Sequence, residues 1–166
     1  MTATVLNDGI LKFDKWKNSE NTITHGTIIG HASTTYNTGN DTYTDTNATQ
    51  ANTGVTLTYT PKYANSILMV YGAVGTRSNG AGRNGAAAGI KRDGTAMPSS
   101  PSYPHHAFYY HGDTVNHHRN LIMRAFAVSN NTSPTTFTTY VSNDWGAVEI
   151  SWAWGQHKIE VWEIQQ

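Results

Sequence analysis

"GVTLTYTPKYANSILMVYGAVG", residues 54–75, indicates the fold of this 166-residue chain more clearly than any other stretch. In its first half Val55, Leu57 and Tyr59 alternate with polar residues, so an extended chain places the apolar side chains on one face and the threonines on the other. Such alternation is typical of a strand with one face in a core and one in water. The second half, residues 66–75, is apolar on both faces, which is typical of a central strand that is covered on two sides.

Strand signals continue on both sides of this stretch. Asp93-Gly94 predicts a tight hairpin within 90–97, because both central positions of such a turn favour residues that tolerate positive φ. Further strand-like stretches lie at 22–33, 120–129, 135–142, 147–155 and 157–164. Together they predict an all-β protein, a jelly-roll-like β-sandwich of about eight to ten short strands. A chain of this length suits one core, which we place in a single domain at 26–166.

The first 25 residues differ from the rest of the chain. Their apolar residues are closely spaced, but neither a helical stripe nor a strand alternation continues beyond them, and so short a segment cannot form its own core. We therefore predict a docking arm at 1–25 that packs on the domain, on a sister subunit or on a larger partner. The alternative is a strand of the same domain. The candidate docking residues are Ile10, Leu11, Phe13 and Trp16.

Composition excludes several classes of function. Eleven basic and eleven acidic residues give a net charge of +0, and a nucleic-acid binder needs clustered positive charge. The absence of cysteine excludes disulfides, thiol nucleophiles and thiolate metal sites. No apolar run reaches the length of a membrane span and the start lacks a signal-peptide pattern, so we expect synthesis in a cytoplasm and no membrane insertion. A neutral chain also lacks the charge repulsion that keeps free proteins apart, which favours a protein that functions within a larger assembly.

The stretch "YPHHAFYYHGDTVNHHRN", residues 103–120, holds five of the eight histidines. Its histidines match neither His-x-His nor His-Glu-x-x-His spacing, so the sequence nominates no metal site and no cofactor. A three-fold axis could still gather one histidine from each subunit. Hydroxyl residues occur throughout the chain, and neither a nucleophile elbow nor a glycosidase carboxylate pair stands out, so no catalytic residue is nominated and we expect no enzyme.

We expect the histidine stretch and the glycine-rich stretch "SNGAGRNGAAAG" (78–89) to form outward-facing loops, around 101–118 and 77–88. Aromatic rings at such positions suit interfaces and sugar sites, because they bury area at low entropic cost while keeping a polar edge. Packing between subunits explains them equally well. The candidate partner or receptor contacts are Tyr103, His105, His106, Phe108, Tyr109, Tyr110, His111, His117, His118 and Trp145.

Three motifs, in this order along the chain, resemble structural proteins of tailed bacteriophages. They are the strand of Pro61 to Val70 after a threonine-rich loop, the hairpin of Arg92 to Thr95, and the closing strand of Ile159 to Ile164. The chain looks most like the tail-fibre and virion-appendage proteins of phages that infect marine bacteria and cyanobacteria, over roughly residues 28 to 164. The long repetitive shaft of a conventional fibre is missing here.

The resemblance implies a jelly-roll-like homotrimer that is built into a virion and made in the host cytoplasm. We therefore expect a non-enzymatic tail-fibre or appendage protein that is attached by its arm to other virion proteins. Its outward loops would contact a host-surface glycan or protein. A capsid cement or decoration protein and a free carbohydrate-binding module are the two alternatives.

Overall fold

The computed structural model describes residues 3–5, 11–13, 16–17, 22–23, 28–36, 42–45, 50–79, 84–97, 105–111, 117–142, 147–151 and 157–165. These residues contain strands and no helix. Accordingly, no helix in this part of the chain could cross a membrane. The strands are β1 (Ala3–Val5), β2 (Leu11–Phe13), β3 (Trp16–Lys17), β4 (Thr22–Ile23), β5 (Ile28–Tyr36), β6 (Thr42–Asp45), β7 (Ala51–Tyr59), β8 (Ile67–Asn79), β9 (Asn84–Arg92), β10 (Thr95–Ala96), β11 (Ala107–His111), β12 (His117–Val128), β13 (Thr135–Ser142), β14 (Ala147–Ser151) and β15 (His157–Ile164).

Two antiparallel sheets form the body of the protein. In sheet I, β8 pairs with β12 along one edge and with β15 and then β14 along the other, and β5 and β6 lie beyond β15 and β14. In sheet II, β13 lies between β7 and β9, and both β10 and β11 pair with the far edge of β9. Each sheet is therefore four strands wide, because some positions hold two short strands end to end.

The strand order identifies the fold as a jelly roll. Counted along the chain, the eight main strands are β5, β7, β8, β9, the β10/β11 pair, β12, β13 and β15. Sheet I then has the order 1-8-3-6 and sheet II the order 2-7-4-5, so consecutive strands mostly lie in opposite sheets. Two nested Greek keys produce this arrangement. The predicted jelly-roll-like β-sandwich is confirmed.

The core lies between the two sheets and is built from alternating positions. Leu68 and Val70 of β8 are fully buried, and so are Ile90 of β9 and Phe137 of β13 on the opposite sheet. Val55 faces the same core, as its alternation with threonine predicts. The other face of each strand points away from the core, so the character of those outward positions decides what else the protein can contact.

The Asp93-Gly94 turn is present as predicted. The two residues have φ of 49° and 82°, and they connect β9 to β10. Beyond β10, the Met97 N–H donates to the Ile90 carbonyl and the His106 N–H donates to the Ala88 carbonyl, so the chain leaves the edge of β9 and returns to it.

The N-terminal segment forms two small hairpins in its described residues. β1 pairs with β2 and β3 pairs with β4, and among the described residues neither hairpin pairs with sheet I or sheet II. The division into an arm at 1–25 and a domain at 26–166 stays a prediction, as does a docking role for this segment.

Candidate functional site

The carboxylate of Glu163 organises one end of the sandwich. It is fully buried on β15 and accepts hydrogen bonds from the Tyr59 hydroxyl (2.7 Å) and the Ser66 hydroxyl (2.6 Å). The backbone N–H groups of Lys62 (2.9 Å) and Tyr63 (3.1 Å) also donate to it. A single side chain thus holds the turn between β7 and β8, which supplies the donors that a buried carboxylate requires.

These contacts set the ionisation of the pair at neutral pH. Burial raises the pKa of Glu163, but the hydrogen bonds from Ser66, Lys62, Tyr59 and Tyr63 outweigh it and the net pKa is lowered. Burial raises the pKa of Tyr59 well above its ordinary value, and the hydrogen bond and the negative charge of Glu163 add to the effect. Glu163 is therefore a carboxylate and Tyr59 a neutral phenol, which suits a structural contact.

A second network extends this end of the sandwich to the Asp93 hairpin. Arg92 donates to the Val128 carbonyl (2.8 Å) and to the Thr135 hydroxyl (3.1 Å), and that hydroxyl donates to Asp93 (2.8 Å). Ser129 links the two networks, because its N–H donates to the Ser66 carbonyl. The three motifs on which the phage resemblance is based therefore meet in one connected network that fixes the fold.

The outward face of sheet II carries a histidine and tyrosine cluster. Tyr140 is fully buried although it points away from the core, and its hydroxyl lies 3.4 Å from Nδ1 of His105. Its ring lies against Gly89, where a Cβ would come within 2.4 Å of the ring, and the Lys91 ammonium is 5.4 Å from the ring centre. The close packing of Tyr140 on β9 is thus possible only because position 89 lacks a side chain.

His106 has an unusual environment next to this cluster. Both of its ring nitrogens are buried and find no hydrogen-bond partner among the residues that the structure describes. Burial lowers its pKa, and the neighbouring His105 lowers it further, so the ring is neutral at pH 7. Within the described residues no three histidine or carboxylate side chains are grouped as metal ligands.

The outward face of sheet I carries most of the large apolar side chains that are exposed among the described residues. Strand registers place four side chains side by side in each row across β5, β15, β8 and β12. The first row holds Ile28, Ile164, Ile67 and Val128, and the second holds His31, Trp162, Met69 and Phe126. The third row holds Ser33, Glu160, Tyr71 and Arg124, and the fourth holds Thr35, Lys158, Ala73 and Ile122.

This face is open to solvent. Phe126 is 63% exposed, Ile122 56% and Ile28 54%, whereas Met123 and Ala125, on the core side of β12, are buried. Large apolar side chains that lie together at such exposure mark an interaction surface. The prediction that 66–75 is covered on both faces is met on the core side; on the outward side Ala73 is buried too, while Ile67, Met69 and Tyr71 are partly exposed.

Charged groups border the apolar rows. Lys158 donates to Glu160 (3.1 Å) and lies 4.9 Å from the centre of the Tyr71 ring. The Trp162 and His31 rings are 4.1 Å apart, which fixes the bulky second row. Arg124 is exposed in the same row as Glu160, with Tyr71 between them.

The candidate contact residues are placed differently from the expected loops. Phe108, Tyr109, Tyr110 and His111 lie in β11, and His117 and His118 begin β12, so the prediction of a loop is wrong for these positions. Sequence spacing could not show this, because β11 pairs with β9 and β12 pairs with β8 across long chain separations. Tyr103 and Trp145 lie outside the described residues.

The glycine-rich stretch is also not a free loop where it is described. Residues 77–79 end β8, and 84–88 lie in β9, whose Ala86 and Ala88 are fully buried in the core. Among the docking residues, Leu11 and Phe13 lie in β2 and Trp16 in β3, and Ile10 lies outside the described residues. Sequence reasoning missed Ile122 and Phe126, although their alternation with buried residues in 120–129 was a signal.

No protein-family model and no curated protein sequence matches the chain. Solved structures that resemble it come from infectious bursal disease virus. A structure of the Gt strain has a TM-score of 0.35 and 16% identity, over 91% of this chain and 42% of that one. A structure of derived T=1 particles has a TM-score of 0.38 and 16% identity, over 90% and 39%. A mutant VP2 protein in such particles has a TM-score of 0.34 and 15% identity, over 93% and 42%.

The chain spans about two-fifths of the length of the solved structures that it matches. The jelly-roll assignment rests on the strand order of this chain. The surface that remains to be explained is the apolar outward face of sheet I.

Proposed function

We propose that this chain is a non-enzymatic structural protein of a virus particle, specifically a trimeric tail-fibre or appendage protein of a tailed bacteriophage. The observation that carries the proposal is the open apolar face of sheet I, with Phe126 63% exposed beside the bulky Trp162 and Met69. A flat surface of this kind suits contact with another folded protein, whereas small molecules bind in concave sites.

The polar chemistry of the described residues supports a structural role. Glu163, Tyr59 and Ser66 are hydrogen-bonded to one another, and Arg92 and Asp93 hold neighbouring strands together. These groups stabilise the fold, and the Glu163 carboxylate is fully buried. The three motifs named in the sequence also share this structural role, because each supplies part of one network.

The second part of the proposal concerns how the protein is attached to the particle. The N-terminal arm would join the particle through Leu11, Phe13 and their neighbours, and the far end would be free to contact a host-surface glycan or protein. A homotrimer would strengthen weak contacts, because three linked sites bind far more tightly than one.

Immunogold electron microscopy on intact particles tests this proposal. We expect gold on the tail or on projecting appendages. Uniform gold over the head would replace the appendage assignment with that of a capsid cement protein, and no gold on any particle would reject both. A deletion of residues 1–18 should leave a folded domain that no longer joins particles, and an unfolded product would reject a separate docking arm.

A further inference from the structure

We infer that the outward face of sheet I binds a second copy of this chain, with the two copies related by a two-fold axis that runs parallel to β8 above Tyr71. The inference concerns self-association alone, and it stands whether or not the chain is part of a virus particle.

The size of the face fits a protein partner. With an axis along β8 the strands β15, β8 and β12 overlap between the two copies, and their four rows cover about 14 Å by 27 Å, or about 400 Å², at the usual strand spacing and rise. A stable interface takes about 800 Å² of accessible surface from each partner, so this area supplies about half of it and the projecting side chains with the polar border must supply the rest. Two sheets can stack face to face with nearly aligned strands, as the two halves of a sandwich do.

The order of residues across β15, β8 and β12 makes the face complementary to itself. Rotation about an axis along β8 places each residue of β12 opposite the residue of β15 in the same row, and the reverse. In the first row Val128 then meets Ile164, and in the second row Phe126 meets Trp162. Both rows therefore become apolar contacts between the copies.

The third row distinguishes this axis from axes along the neighbouring strands. Arg124 of one copy meets Glu160 of the other, twice, on either side of the two Tyr71 rings. An axis along β15 would place Glu160 opposite itself, and an axis along β12 would place Arg124 opposite itself. Like charges at a contact oppose binding and opposite charges favour it, so of these three axes the one along β8 satisfies the first three rows, while the fourth row places Ile122 beside Lys158 at the border of the contact.

The charged side chains of Arg124 and Glu160 are available for this contact. Arg124 has no hydrogen-bond or ion-pair partner among the described residues, while Glu160 is bound only by Lys158 on its own strand. The net charge of +0 leaves no overall repulsion between two copies. A two-fold contact cannot close a ring of three, so in a trimeric protein this face would join two trimers.

Charge exchange tests the axis directly. Arg124→Glu makes positions 124 and 160 both acidic, and Glu160→Arg makes both basic. We expect each single variant to weaken self-association by about a hundredfold, because two repulsive pairs replace two attractive ones. The double variant should associate like the wild type. An equimolar mixture of the two single variants should form mixed pairs, because every acidic position then faces a basic one.

Sedimentation measures the mass of the protein in solution and the dissociation constant of its self-association. Native mass spectrometry identifies the mixed pairs. Circular dichroism and thermal unfolding confirm that each variant is folded. Ser33→Arg, in the same row but on β5 away from the axis, is the control and should leave association unchanged. A wild type that stays monomeric at high concentration would overturn the inference. So would an oligomer that neither single variant weakens, or a mixture in which no mixed pairs form.

Discussion

The hydroxyl of Ser66 donates a 2.6 Å hydrogen bond to the carboxylate of Glu163, a residue 97 positions further along the chain. This contact joins the start of β8 to the end of β15, the two strands that form the middle of sheet I. Because Glu163 also accepts from Tyr59 and from the turn after it, one buried charge closes the sandwich at this end. The most informative tests of the fold therefore begin at this residue.

Replacement of Glu163 should make the protein less stable at neutral pH. Glu163→Gln keeps the shape but loses the charge, and it places an amide donor against donors, so we expect a loss of about 2 kcal/mol or more in the free energy of unfolding. The folded pKa of Glu163 is lowered from 4.5, so its contribution is present above that pH and is lost as the pH falls through the folded pKa. Urea unfolding at pH 7 and pH 3 checks this. A difference between wild type and variant that does not shrink in acid would contradict it.

Gly30 should be required for stability, because a side chain at this position would clash with the Tyr59 hydroxyl. A Cβ at position 30 would come within 2.0 Å of that oxygen and 3.3 Å of the Glu163 carboxylate, so Gly30→Ala must displace the phenol. We expect a loss of about 1–3 kcal/mol. Tyr59→Phe removes the oxygen, after which the nearest ring atom lies at 3.3 Å.

The double variant should be more stable than the sum of the two single losses indicates, because the clash exists only when both the Cβ and the hydroxyl are present. Thermal unfolding of all four proteins gives the coupling energy. Strict additivity would show that the backbone moves away from Tyr59 instead.

His106 should be replaceable by an apolar ring. Its buried nitrogens have no partner in the described part of the chain, so His106→Phe removes a group that is unsatisfied there and should change stability at pH 7 by no more than about 1 kcal/mol. The folded pKa of His106 is lowered from 6.5, so its neutral form stabilises the fold above that pH and this contribution is lost as the pH falls through the folded pKa. The variant should therefore lose less stability between pH 7 and pH 5. His105→Phe, which removes the contact with Tyr140, is the comparison.

Phe126 should matter for association and not for folding. Because it is 63% exposed, Phe126→Ser should change the free energy of unfolding by about 0.5 kcal/mol or less, while retention on a hydrophobic-interaction column falls. Phe137→Ser is the matched control, since Phe137 is fully buried and its loss should cost about 3–5 kcal/mol. Equal destabilisation by the two changes, measured at a concentration at which the protein is monomeric, would show that Phe126 belongs to the core of the single chain.

The strands were predictable because the pattern that reveals them is local. Val55 and its alternating neighbours indicate a strand whatever they pair with, and the Asp93-Gly94 turn requires only the positive φ that both residues adopt. The apolar character of 66–75 on both faces likewise indicated that this strand has a second face to cover. The structure locates that face beside Phe126.

The sequence predicts loops around 77–88 and 101–118, but their described residues lie largely in strands, because the environment of these residues is set by distant strands. Small residues in 84–89 are typical of a flexible segment, but here they let β9 pack in the core and let Tyr140 lie flat on Gly89. Similarly, Phe108 and Tyr110 belong to a strand because β9 offers an unpaired edge to them.

The sequence by itself determined the all-β class, the hairpin at Asp93-Gly94 and the need to cover both faces of 66–75. These features depend on side-chain alternation and on local turn geometry. Only the tertiary structure decided the jelly-roll order, the convergence of the three motifs on Glu163, and the row that places Arg124 and Glu160 on either side of Tyr71. The reason is physical: register and strand order are set by pairings between residues far apart along the chain, and a one-residue shift in register would turn every outward side chain inward.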